Sequence, residues 1–169
     1  LIDCLGGKTI NLSLMLKQFQ TSAAIRAALL YLVISNAVPG LWALFLPKAF
    51  YSSFPGFGRV WVAVDGPYNE HLIRDVGAMF LVLTALAGSA LLKPHQVSTR
   101  VVGFCTLVFN VPHLLYHLQH LHMLPIADQV GNIVVLSTGV IVPLLLLFPT
   151  DSNAPQRSPK ERPSRDLVH

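Results

Sequence analysis

Four long apolar runs constrain this chain more than any other feature. They cover residues 24–46, 69–92, 101–120 and 125–148. Each is long enough for a helix to cross a bilayer core, which takes about 20 residues. Backbone polar groups find no water in lipid, so such runs form helices and not open sheets. The charge content agrees. Only 12% of the residues are Asp, Glu, Lys or Arg, against about a quarter in soluble domains. The runs predict an all-α fold, a four-helix transmembrane bundle, with 24–148 as one domain.

The flanks read differently. Residues 1–23 are polar and mixed, and Met15 precedes an ordinary start for a small membrane protein, so 1–14 are expected to be an upstream extension. No pattern of a removable signal peptide is read there. Residues 149–169 are rich in proline, serine and charge and are expected to form a disordered tail. Cys4 and Cys105 make no disulfide framework. The net charge of +4 does not gather into a patch, so nucleic acid is not expected as a partner.

Four crossings put both termini on one side. Nine of the twelve Lys and Arg residues then fall on that side, and Lys48, Arg59 and Arg74 on the other. The positive-inside bias predicts cytoplasmic termini in a bacterial inner membrane. The connection between the first two runs would then be extracytoplasmic. It carries Phe50, Tyr51, Phe54, Phe57, Trp61 and Tyr68, which suit the headgroup zone. The alternation Val60, Val62, Val64 before Asp65-Gly66 predicts a short strand and turn.

Polar residues interrupt the runs in several places. His113, His117 and His120, with Asn110 a turn earlier, lie on one face of the third helix, because offsets of three and four stack side chains. At the start of the second run, Asn69 is a plausible N-cap and Glu70 suits the helix dipole. His71 and Asp75 share a face beside Arg74. Helical rise puts His117 roughly 6 Å and Asp75 roughly 7 Å inside their helix ends, at one depth. Asp128 and Asn132 start the fourth run near that level. These placements predict one outward-facing pocket beneath the aromatic loop.

Three readings of that pocket stand side by side. One is a site for a transition metal (Fe, Cu or Zn), with His71, His113, His117, His120, Glu70 and Asp75 as ligands. A tetrapyrrole or other cofactor against His113, His117, Asn110 and Tyr116 is its variant. The second is an ion-paired polar core, with Arg74 pairing with Asp75, Glu70 or Asp128 and the histidines bonding to one another, to Tyr116 or to Asn110. The third is passage of protons or small solutes through titrating histidines. A different class of function is a non-catalytic accessory subunit. Small residues such as Gly77, Ala85, Ala87 and Gly88 suit close packing, whether against other membrane subunits or in a homo-oligomer within the lipid bilayer. No phosphate loop or nucleophile elbow is present.

Phe54-Pro55-Gly56 with Gly58, Trp61-Val62, the stretch Pro67-Tyr68-Asn69-Glu70-His71-Leu72 running on to Arg74, Asp75, Gly77 and Ala78, and Pro112-His113 with His117 and His120 resemble one group of proteins. It comprises uncharacterised small four-helix bacterial membrane proteins, DoxX-like in size and layout. The likeness covers about residues 15–148. It implies a bacterial inner-membrane bundle and carries no reaction or residue role with it.

Overall fold

The computed structural model describes residues 12–148, with side chains from residue 23 onward. The expected tail at 149–169, and the expected upstream extension over 1–11, lie outside the described residues. Helix α1 runs Leu12–Phe45, so the backbone of 12–23 continues directly into the first apolar run. A short helix α2 follows at Pro47–Ser53, with Pro47 in the first turn, where its missing N–H costs nothing. Then come α3 at Glu70–Leu92, α4 at Thr99–His120 and α5 at Ile126–Leu145. A single 3-10 turn at Leu121–Met123 joins α4 to α5. Among the described residues, four of the five helices are long and apolar enough to cross a membrane.

The helix starts follow local chemistry. Asn69 caps α3, its side chain accepting from the Leu72 N–H at 3.1 Å. Ser98 does the same for α4, accepting from the Arg100 N–H at 3.3 Å. Each cap satisfies a donor that helix geometry leaves free.

Packing divides the helices into two close pairs, α1 with α3 and α4 with α5. Glycines set both crossings. A methyl group on Gly77 would lie 2.6 Å from the Leu44 amide nitrogen of α1, and one on Gly103 the same 2.6 Å from the Pro143 carbonyl oxygen of α5. Only a residue without a side chain lets the backbones approach so far. The pairs meet at one end through Leu29, Leu32, Ala87, Ala90, Val102 and Leu146, all buried. A second core of Ala43, Phe50 and Ile73 ties α2 to the other end of α1 and α3.

The outward faces are apolar as well. Leu30, Ile34, Val38, Leu41 and Phe45 form an exposed stripe at helical spacing along α1, and Phe104, Val108, Leu115 and Leu118 form one on α4.

The connection from α2 to α3 contains a two-stranded antiparallel hairpin, β1 at Pro55–Gly56 and β2 at Arg59–Val60. Its turn is Phe57-Gly58, both at positive φ (57° and 74°), the geometry that matches hairpin twist. The strand expected from Val60, Val62 and Val64 therefore ends at Val60. Beyond it the chain turns again, with the Asp65 N–H bonded to the Val62 carbonyl at 3.1 Å.

Candidate functional site

A cavity of about 220 Å³ lies where the two helix pairs separate, beneath the α2–hairpin segment. Every long helix contributes to it. Tyr31 and Asn36 come from α1, Phe80 from α3, His113 and His117 from α4, and Asn132 from α5. Phe50, Phe54, Trp61 and Asp65 close the end nearest the hairpin. The lining is mainly aromatic and aliphatic, with a few polar groups placed among it. Small-molecule sites are generally built this way.

The roof is held by its own aromatic packing. The Phe50 and Phe54 rings lie 4.6 Å apart, and Trp42 meets both edge-on at 6.0 Å. Phe54 in turn meets Trp61 edge-on at 6.2 Å. A charged latch joins this roof to α5. The Arg59 guanidinium and the Trp61 indole N–H, the latter at 3.0 Å, both donate to Oδ1 of Asp128. The indole ring lies over Gly131, where a methyl group would come within 3.2 Å of it. Asp128 is only 6% exposed, so its charge is matched where water cannot reach it well.

The polar groups of the lining differ in what they bond. Asn110 donates to the Gly139 carbonyl at 2.6 Å, linking α4 to α5. The Tyr31 and Thr138 hydroxyls are 2.7 Å apart and link α1 to α5. Asn36 donates to its own helix, to the Leu32 carbonyl at 2.7 Å. The side-chain oxygen of Asn132 is buried and has no hydrogen-bond partner among the described residues. Asn132 itself is 2% exposed. The His113 ring stacks on Phe109 at 5.4 Å, and the His117 ring meets His113 edge-on at 4.7 Å.

Asp65 is the carboxylate at the mouth. Burial of the carboxyl group pushes its pKa above the ordinary value, and the nearby His117 and His120 oppose part of that rise. The residue as a whole remains exposed.

The residues singled out from the sequence divide between this cavity and the surface. Asn110, His113 and His117 line the cavity. His120 does not. Its ring stacks on Tyr116 at 4.2 Å and its Nδ1 donates to the Tyr116 carbonyl at 2.8 Å. Tyr116 is exposed and lies outside the lining. His71 and Asp75 pair with each other at 3.4 Å on the outer face of α3, both exposed. Glu70 pairs with Arg74 at 2.8 Å, and Arg74 also donates to the Leu44 carbonyl at the end of α1.

The expected meeting of Asp75 with His117 does not occur, and Asp65 is the carboxylate that shares the cavity lining with His117. The reason is rotational. Ile73 and Gly77 face α1, and a helical residue two positions from Gly77 points about 200° away from it. Asp75 must face outward once Gly77 is at the crossing. Asp128 likewise takes Arg59 as its partner and not Arg74. The six side chains named as metal ligands do not converge. Among the described residues, no three His, Cys, Asp or Glu side chains come together to hold a metal ion.

Asp65, Arg59, Trp61 and Tyr31 escaped the sequence reading as site residues. Only tertiary packing brings Asp65, Trp61 and Tyr31 to the cavity that His113 and His117 line, and Arg59 to Asp128. Asn132 carried a signal, a polar residue four positions from Asp128 in an apolar run. The chain matches no protein-family model, no curated protein and no solved structure.

Proposed function

We propose that this chain is a four-helix integral membrane protein that binds a small, mostly apolar molecule in the cavity between its helix pairs. The cavity itself carries the reading. About 220 Å³ is more than the roughly 150 Å³ that suffices for a benzene ring. Its walls offer aromatic faces to such a ring, and its polar groups are few and spaced. Close-packed interiors do not leave such a volume by accident of composition.

Membrane insertion is part of the proposal. It is supported by four helices of sufficient length and by the outward apolar stripes of α1 and α4, which water would not favour. The distribution of Lys and Arg supports cytoplasmic termini in a bacterial inner membrane, with the α2–hairpin roof on the opposite side. The cavity then opens towards the outer leaflet, and lipid is the immediate partner of the helices. Two adjacent imidazoles remain available to hydrogen-bond a ligand, a role that needs no metal cage.

The test is a titration of the full chain in lipid nanodiscs with 4-propylanisole, an uncharged single-ring probe, with signal from empty nanodiscs subtracted. Saturable binding near one per chain is expected. The double substitution Val76→Phe, Leu136→Phe puts two rings into the cavity and is expected to abolish it. Binding that never saturates, or that survives the filled cavity, overturns the proposal.

A further inference from the structure

The polar groups of the cavity point to the kind of molecule it selects. Most of them already have partners, so they hold the walls together and leave little for a ligand. Asn110, Tyr31 and Asn36 are each engaged within the protein. Apart from the two imidazoles, the Asn132 side-chain oxygen is the exception, buried and without a donor among the described residues. A buried acceptor left unpaired is costly, and the cost is recovered only when a donor arrives. A second acceptor lies on α1. Pro39 has no N–H to give to the Ser35 carbonyl, and both residues line the cavity. The walls therefore offer unpaired acceptors beside the two imidazoles, each of which carries one N–H and one acceptor nitrogen when neutral.

Charge narrows the choice further. No Lys or Arg is among the lining residues, so no permanent positive charge there neutralises an anion. Two imidazoles face the interior, and the only lining carboxylate, Asp65, stands at the exposed mouth. A full positive charge placed beside Asn132 would leave water with no carboxylate placed to meet it.

Resting on the cavity-binding reading above, we propose that the site selects a small, uncharged, mostly apolar molecule carrying one O–H or N–H group, which donates to Oδ1 of Asn132. Phenols and indoles of one or two rings are the simplest members of that class. The aromatic walls of Phe50, Phe54 and Phe80 hold the ring, and Asn132 orients its polar edge.

A matched pair of probes separates this inference from the reading beneath it. 4-Propylphenol and 4-propylanisole differ in whether the ring oxygen carries a proton. In nanodiscs with the unaltered full chain, the phenol is expected to bind about tenfold tighter, the size of effect when a donor meets an unpaired buried acceptor. Asn132→Leu is expected to remove that difference between the two probes. The comparison in the unaltered chain decides the matter even if the variant fails to fold. Equal affinities overturn the donor inference and leave cavity binding intact. A tighter complex with 4-propylbenzylamine, which is protonated at neutral pH, overturns the requirement for an uncharged ligand. Saturable binding by none of the three overturns the cavity reading, and this inference with it.

Discussion

Asn110 of α4 donates to the carbonyl of Gly139, and that carbonyl is the one Pro143 leaves without a helical partner. Proline has no N–H, so residue 139 loses its bond from residue 143. A side chain from the neighbouring helix supplies the donor at 2.6 Å. Proline is tolerated in apolar helices on this condition. Asn110→Leu is expected to destabilise the fold by about 1–3 kcal/mol, the cost of a buried acceptor left unpaired. In a Pro143→Ala background, which restores an N–H to the helix, the same substitution is expected to cost less. Unfolding titrations of the four proteins measure the coupling, and strictly additive losses would count against this account.

The crossing of α1 and α3 makes a sharper contrast between two glycines of one helix. Gly77 has no room for a methyl group, which would sit 2.6 Å from backbone, whereas the nearest atom to one on Gly88 is a Val33 methyl at 3.9 Å. Gly77→Ala is expected to cost about 1–3 kcal/mol through overpacking. Gly88→Ala is expected to be neutral or stabilising by up to about 1 kcal/mol, from helix propensity alone. Thermal unfolding in detergent compares them directly, and equal losses would contradict the crossing.

The hairpin roof is expected to depend on Asp128. Asp128→Ala removes the shared acceptor of Arg59 and Trp61, so amide exchange over residues 59–61 should accelerate while the centre of α3 stays protected. Asp128→Asn keeps an oxygen for the indole N–H but loses the charge, and an intermediate rate is expected. Unchanged exchange in both variants would mean that the aromatic packing alone holds the roof.

Stability should depend on pH through Asp65. Its carboxyl holds a proton to higher pH in the folded chain than in the unfolded one, because burial disfavours the charged form. The stability this contributes is complete below the ordinary value of 3.8 and is lost as pH rises through the raised value. Asp65→Asn never ionises and keeps the contribution throughout. The variant should match the natural chain at the acid end and be modestly more stable at neutral pH. A variant that is less stable at neutral pH would instead mean that attraction to charged His117 or His120 outweighs the burial.

The amino-acid sequence by itself determined that the chain is helical, how many long helices it has and close to where they lie. Those properties follow from local patterns, such as apolar runs of bilayer length and the cap at Asn69. Spacing within one helix also kept Asn110, His113 and His117 on a common face, as found. Which face of each helix turns inward was decided only by packing between helices. His71 and Asp75 have a regular spacing of their own, yet Gly77 claims the α1 crossing and rotates them outward. Asp65 and Arg59 reach the cavity and its latch because a hairpin folds back over the helix ends, and the pairing of residue 59 with residue 128 leaves no periodic trace in the sequence. Local pattern is written in neighbouring residues, whereas rotation and loop placement depend on contacts between distant ones.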